Sequence, residues 1–181
     1  MRRFTLLVGL IVIVGLPALA QDYPRAEIFG AFSYLHVDPV VAPREIAFGW
    51  QASVSGNFHK NLGLVADFAG QYKSVTVDTE RAKFQAYEYL FGPRFFVRGE
   101  RATGFVHALF GAATARASIL GVTITESAFA LGFGGGADVN VNDRVAVRVL
   151  QFDYIPVRES GVWSHNLRLG FGIVIKAGGG S

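Results

Sequence analysis

Apolar side chains recur at every second position over most of residues 46–72, with one short polar interruption. In the first part of this stretch the even positions are mainly apolar and the odd positions mainly polar, the apolar set being Ile46, Phe48, Trp50, Ala52, Val54 and Phe58. Successive side chains of a strand point to opposite faces, so this period predicts a strand with one apolar and one polar face. The alternation resumes after Lys60-Asn61, which predicts a hairpin with a tight turn. Both strands exceed the roughly five or six residues usual in soluble sheets.

The same alternation predicts six further strands, over residues 26–36, 83–98, 105–116, 129–141, 144–154 and 163–176. Alanines blur the pattern in 105–116, so the faces of that strand stay unassigned. The pattern changes phase within 144–154, which predicts a β-bulge near Val149 and Leu150. Short turns are expected at 60–61, 99–103 and 142–143, and longer loops at 37–45, 75–82, 117–126 and 156–162.

Eight long strands with an aromatic-rich face and a polar face are typical of a barrel whose outside meets lipid. The sequence therefore predicts an all-β fold, an eight-stranded antiparallel up-and-down transmembrane β-barrel. A soluble, lipocalin-like barrel is the alternative fold, although it would place its apolar face inside.

The first 20 residues have the features of a secretory signal peptide. Arg2 and Arg3 precede an apolar run, and Pro17 and a small-residue segment ending at Ala20 follow it. An N-terminal transmembrane anchor is the alternative, but the run is shorter than the roughly 20 residues that a spanning helix needs. We expect a cleaved signal peptide over 1–20, the barrel over 21–177 and a flexible tail over 178–181.

Composition narrows the classes of partner. The chain is 51% hydrophobic and contains 22 glycines and 16 phenylalanines, which is unusual for a soluble enzyme. It has no cysteine, so disulfides and thiolate metal sites are excluded. Without Arg2 and Arg3 the 17 basic side chains become 15, against 14 acidic ones, and this balance gives no reason to expect nucleic acid. No cofactor is expected.

Ionisable side chains on the polar faces form the only group with candidate chemistry. An eight-stranded barrel has an interior that side chains just fill, so we expect these groups to pair as a structural network that plugs the lumen. A charged, water-filled path for ions is the alternative. The expected network consists of Glu27, Asp67, Lys73, Glu88, Arg94, Arg98, Asp138, Arg148, Asp153 and Arg168.

Histidine-based chemistry has little support in the pattern. His36, His59, His107 and His165 fall on four different strands without the spacing of metal ligands, and a lone strand histidine is more often a satisfied polar residue. Ser164 and His165 are chain neighbours, but on a strand they point to opposite faces, and no acid can be named to orient the histidine. We therefore expect no catalytic residues and no enzymatic activity.

The chain resembles the eight-stranded outer-membrane β-barrel family typified by outer membrane protein A. The resemblance covers roughly residues 23–177 and is carried by EIFGAFSYL at the first strand, YLFGPRFFVR at the fourth, GFGGGADVNVNDRVAVRVLQFDY across the sixth and seventh, and NLRLGFGIVI at the last. Many members end on an aromatic residue, whereas Phe171 is the last aromatic of this chain. The resemblance implies export through the periplasm into the outer membrane of a Gram-negative-type bacterium.

Three functions are compatible with these observations. The first is a structural or surface-interaction barrel, a monomer in outer-membrane lipid whose outer loops contact other envelope components. The second is a small ion or solute channel, and the third a lipid-modifying enzyme. We favour the first because eight strands leave little room for a path through the lumen.

Overall fold

The computed structural model describes residues 23–38, 45–77, 80–119, 122–159 and 161–179. The predicted signal peptide lies outside these residues and stays a prediction, and only Gly178 and Gly179 of the predicted tail are described. None of the described residues belongs to a helix long and apolar enough to cross a bilayer.

Eight antiparallel strands close into a barrel in chain order, each pairing with its sequence neighbours and β1 pairing with β8. The predicted eight-stranded fold is confirmed. The strands are β1 (Ala26–Asp38), β2 (Glu45–His59), β3 (Leu62–Val77), β4 (Glu80–Arg98), β5 (Ala102–Ile119), β6 (Val122–Asn140), β7 (Val145–Glu159) and β8 (Val162–Ala177).

The two ends of the barrel differ. We call the end that holds residues 60–61, 99–101 and 141–144, together with the first and last described residues, the turn end. The opposite end, where β1 leads to β2, β3 to β4, β5 to β6 and β7 to β8, is the loop end.

Three of the four predicted loops at the loop end are wrong in extent. Strands β3 to β8 continue into the segments expected to be loops at 75–82, 117–126 and 156–162. Of the fourth predicted loop, 37–45, residues 39–44 lie outside the described residues. Alternation of polarity reveals a strand only where one face is apolar, so it could not reveal extensions into polar segments such as VTVDTERA.

Side chains alternate along each strand between an outer apolar face and a buried inner face of the barrel wall. Large apolar residues point outward and are exposed, with Phe32 reaching 72%. The inner face is more mixed than the expected polar lining, since several inward residues are buried apolar ones: Phe29, Leu35, Val65, Leu90, Phe96, Phe105, Leu109, Ile155 and Val174. The blurred strand β5 turns Phe105, His107 and Leu109 inward.

The predicted bulge in β7 is confirmed. The pairing of β7 with β8 shifts between Arg148 and Gln151, and the pairing of β6 with β7 shifts at the same level. Val149 and Leu150 both point outward, at 52% and 51% exposure. The extra residue restores the phase, so Gln151 and Asp153 lie buried inside the barrel.

Candidate functional site: the charged interior of the barrel

Arg168 lies at the centre of the interior and binds three carboxylates. Its Nη2 donates to Asp67 Oδ1 and to Asp153 Oδ2, both at 2.7 Å, and its Nη1 donates to Glu88 Oε2 at 2.6 Å. These four side chains come from β8, β3, β7 and β4, and each is less than a twentieth exposed. Because a guanidinium has five N–H donors in a planar fork, one arginine can serve several acids.

Small residues next to Arg168 make space for this arrangement. Gly170, the next inward residue of β8, lies against the side chain of Gln51, and a Cβ there would meet Gln51 Oε1 at 2.5 Å. Gln51 Nε2 in turn donates to Asp67 Oδ2 at 2.8 Å. On β6, a Cβ at Gly134 would collide with Asp153 and with the carbonyl of Phe152. Glycine at both positions therefore leaves room for Gln51, which binds Asp67, and for Asp153, which binds Arg168.

A second group joins Arg94, His107 and Asp153. Arg94 Nη2 donates to His107 Nδ1 at 3.2 Å, and His107 Nε2 lies 2.8 Å from Asp153 Oδ1. A guanidinium can only donate, so Nδ1 must carry the lone pair and Nε2 the proton. This geometry assigns a neutral imidazole that bridges a cation and a carboxylate.

Arg148 forms a third group nearer the turn end. Its Nε and Nη2 bind the two oxygens of Asp138 at 2.7 and 3.0 Å, and its Nη1 donates to Gln151. The guanidinium is stacked between the rings of Phe29 and Phe105, each centroid 4.1 Å from Cζ. The buried guanidinium thus makes hydrogen bonds along its edge and stacks on one aromatic ring at each face.

The remaining expected members lie at the two ends. Arg98 pairs with Glu27 at 2.7 Å near the turn end, where Arg98 Nε also donates to the carbonyl of Lys60. Lys73 is half-buried on β3 toward the loop end. The structure therefore brings nine of the ten expected residues into three buried groups and one ion pair at the turn end.

An apolar cluster accompanies the charges. Five buried inward residues on β3 to β7 pack together: Val65, Leu90, Leu109, Ala130 and Ile155. Ala113 and Val157 pack against them. This cluster fills interior space that the ionised side chains leave.

Sequence reasoning missed His107 and could not name the partner of Arg94. His107 was expected to be an isolated strand residue, because the alanines of β5 hid its inward face. Arg94 was expected only as a member of the charged network, without a named partner; its hydrogen bond goes to His107, and its guanidinium lies 4.5 Å from the centroid of Phe105. The missing signal is the pairing of Arg94 with His107 across β4 and β5, which depends on strand register.

The Ser164–His165 pair does not form a catalytic arrangement. Ser164 Oγ donates to the carbonyl of Val157, whereas His165 stacks on Tyr154 on the outer face and shares a hydrogen bond with its hydroxyl. Within the described ranges, no group of three or more His, Cys, Asp or Glu side chains could hold a metal ion.

A comparison with protein-family models matches residues 6–174 to the outer membrane protein beta-barrel domain. The chain belongs to this family. Membership makes the barrel an outer-membrane, transmembrane one, and it rules out the soluble, lipocalin-like alternative. A comparison with curated protein sequences found no match.

Solved structures similar to this outer-membrane barrel are bacterial surface and outer-membrane proteins. Neisserial surface protein A aligns with a TM-score of 0.70 at 11% identity, covering 86% of this chain and 99% of its own. Ail, the attachment invasion locus protein of Yersinia pestis, aligns with a TM-score of 0.61 at 18% identity, covering 84% and 99%. OprG from Pseudomonas aeruginosa gives 0.52 at 9%, covering 87% and 97%. At these identities the likeness concerns the fold alone.

Proposed function

We propose that this protein is a monomeric, non-conducting outer-membrane barrel with a structural or surface-interaction role, and that the internal charge network plugs its lumen. The contact that carries the proposal is the one between Arg168 Nη1 and Glu88 Oε2, 2.6 Å long. It joins β8 to β4, which lie on opposite sides of an eight-stranded ring. Side chains that touch across the full diameter leave no space for a hydrated ion between them.

The other interior groups support the same conclusion. Arg148 occupies the lumen together with the two aromatic rings that stack on it, and the apolar cluster of Val65, Leu90, Leu109, Ala130 and Ile155 occupies more of it. A path for ions needs polar groups that can solvate them, and an apolar constriction opposes entry of water. The alternative of a small channel has no comparable observation in its favour.

The outer surface supports a role in the membrane and at its surface. The exposed apolar side chains on the outer face fit acyl chains, since the strands pair with one another around a closed ring and leave no open sheet edge within the membrane. We assign the turn end to the periplasm, after export of the chain through it, and the loop end to the medium, where it can contact envelope components.

Planar-bilayer recording of the refolded full-length chain tests the plugged lumen. We expect no stable unitary currents from the wild-type barrel. The double variant Arg168→Ala/Glu88→Ala removes both side chains of the contact that spans the lumen, so its conductance should exceed that of the wild type if side-chain filling is what blocks the lumen. Large, stable currents from the folded wild-type monomer would overturn the proposal and favour the channel.

A further inference from the structure

A cavity of about 1110 Å³ lies at the turn end of the barrel. It is bounded by the turns at 99–101 and 141–144 and by the first and last described residues. Pockets that hold small molecules are usually roughly 300–1,000 Å³, so the space is sufficient for one. We call it the turn-end cavity. The surface-interaction role proposed above concerns the loop end, so a binding site here is a separate one.

The inner wall of the turn-end cavity consists of the last inward residues of three strands, Arg98 on β4, Asn140 on β6 and Lys176 on β8. Asn140 Nδ2 donates to the carbonyl oxygens of Gly99 and Glu100, at 3.1 and 3.0 Å. Asn140 Oδ1 accepts a hydrogen bond of 2.6 Å from Lys176 Nζ. One amide side chain thus holds both the first turn and the ammonium group in place.

The turn at 141–144 is held in place by a side chain of its own. Asn142 Oδ1 accepts hydrogen bonds from the backbone N–H groups of Arg144 and Val145, at 2.9 and 2.8 Å. The backbone N–H of Lys176 donates to the carbonyl oxygen of Arg144 at 2.8 Å, which makes the two residues neighbours across the strand ends. Walls that are already fixed lose little conformational freedom when a ligand binds.

Two cations of the lining are not neutralised by the barrel itself. Arg98 binds Glu27 at 2.7 Å. In the described part of the chain, by contrast, neither Arg144 nor Lys176 forms an ion pair. An ammonium group has three donors, and the described hydrogen bond of Lys176 Nζ, to an uncharged amide, uses one of them. Arg144 and Lys176 can therefore bind an anion.

The acidic residues of the lining lie in more exposed positions than Lys176. Glu100 and Asp143 are exposed on the two turns, whereas Lys176 is half-buried at the inner wall. Water and salt screen exposed charges more strongly than partly buried ones. Basic residues also outnumber acidic ones over the described turn end, where Arg25, Lys60, Arg98, Arg101, Arg144 and Lys176 accompany Glu27, Glu100 and Asp143. The local field therefore favours a negatively charged ligand.

We propose that the turn-end cavity binds a small carboxylate-bearing molecule, with Lys176 Nζ as the main partner of the carboxylate and Arg144 beside it. Carboxylate oxygens accept several hydrogen bonds, and those from ammonium and guanidinium groups are among the strong ones. A single negative charge suits a cavity whose basic excess is small. A phosphate dianion would be repelled more strongly by Glu100 and Asp143.

The remainder of the ligand is polar, because the residues around the cavity are mainly polar ones and backbone at the turns. Two kinds of small molecule carry a carboxylate on a polar body of suitable size. One is a short peptide with a free C-terminus, and the other is a sugar acid. Since we assign the turn end to the periplasm, the ligand is a periplasmic one.

The test uses the full chain, labelled with ¹⁵N and refolded in lipid nanodiscs, and follows the amide signals of residues 99–101 and 141–144. The probes are acetyl-triglycine with a free carboxylate, the same peptide with an amide in its place, and glucuronate. Lys176→Met removes the proposed partner. Lys60→Met is the matched control, because it removes the same charge from the same end of the barrel but Lys60 is not part of the cavity lining.

We expect the wild type and Lys60→Met to bind at least one of the two carboxylates saturably, with signal shifts at both turns. Binding of that carboxylate should be at least about fivefold weaker in Lys176→Met, and the amide peptide should bind the wild type at least about fivefold more weakly than its carboxylate form, since each change removes a charge-assisted hydrogen bond. The carboxylate that binds more tightly identifies the source of the ligand as a peptide or a sugar acid.

Absence of saturable binding of both carboxylates to the wild type overturns the proposal, as does equal affinity for the amide peptide. Equal weakening in Lys60→Met and Lys176→Met would assign the binding to the general field of the turn end and overturn the site. Tighter binding of inorganic phosphate than of either carboxylate would overturn the ligand class. If Lys176→Met does not fold, the comparison of the two peptides on the wild type decides. Conductance is measured separately, so failure of this inference is distinguishable from failure of the plugged lumen.

Discussion

Single arginine residues hold the interior of the barrel together, because each binds several partners. Arg168 is fully buried and makes charge-assisted hydrogen bonds to Asp67, Glu88 and Asp153. Burying one cation is costly, and here the acids that surround it offset the loss of hydration. Removing the cation would leave three buried carboxylates close together.

Replacing Arg168 should therefore destabilise the barrel strongly. We expect Arg168→Met to lower the free energy of unfolding by about 3–5 kcal/mol, the range for breaking a buried ion pair. Arg98→Met is the matched control, because Arg98 pairs with Glu27 near the turn end and keeps some contact with water. Denaturant titrations of both variants in the same lipid check the prediction, and equal losses would contradict it.

At the scale of a single strand, alternation decides which medium a side chain meets. Trp50 points outward and Gln51 inward on β2, so the two neighbours share a depth and differ in face. Gln51 already donates to Asp67, one of three carboxylates around a single arginine. An added cation has acidic partners inside the barrel and none in hydrocarbon.

We accordingly expect Trp50→Arg to cost more stability than Gln51→Arg. A lipid-facing arginine costs roughly 2–4 kcal/mol near the bilayer midplane and less toward an interface. Unfolding both variants from the same bilayers gives the comparison. If Gln51→Arg were the worse of the two, the assignment of the outer face to lipid would have to be abandoned.

Close approach of strands is a second property at this scale. A Cβ at Gly172 of β8 would lie 2.0 Å from the carbonyl oxygen of Gly30 on β1, whereas a Cβ at Gly30 meets nothing within 4 Å. We predict that Gly172→Ala destabilises by about 1–3 kcal/mol through overpacking. Gly30→Ala should be neutral or slightly stabilising. Denaturant midpoints measure both, and equal tolerance would mean that β1 and β8 can separate locally.

In the whole molecule, the hairpin that β5 and β6 form beyond Thr114 and Ser127 makes different contacts from the membrane-spanning section. We call it the projecting hairpin. The described ion pairs and the apolar cluster lie within the barrel, and the hairpin beyond Thr114 and Ser127 contributes neither. Strands β5 and β6 reach far above the point where β7 stops. Among the described residues, the hairpin thus adds no ion pair and no core contact to the closed barrel.

Shortening this hairpin should leave the barrel intact. Replacing residues 116–125 by Asn-Gly joins Ala115 to Glu126 through a two-residue turn that suits a hairpin. We expect the shortened chain to fold into lipid with unchanged heat-modifiable mobility and a denaturant midpoint close to that of the wild type. Failure to fold would show that the hairpin is needed for assembly.

The strand number, the antiparallel order, the bulge in β7 and the faces of most strands can be predicted from the order of the amino acids. These follow from a period of two, which is a local property that any strand displays wherever one face is apolar. Dependence on a local pattern also explains the wrong bounds of the predicted loops. Strand β3 continues into a polar stretch, and in β6 on the N-terminal side of Phe129 the outward residues are polar instead of apolar.

Which interior groups meet depends on the three-dimensional arrangement of the strands. That Arg168 binds Glu88, 80 positions away, and that Arg94 binds His107 rather than a carboxylate, depends on closure of the ring and on the stagger between strands. Neither the closure of the ring nor the stagger between strands can be deduced from the alternation within one strand. The unequal lengths of β6 and β7 likewise appear only when the strands are compared side by side, since pairing is a relation between strands rather than a property of one.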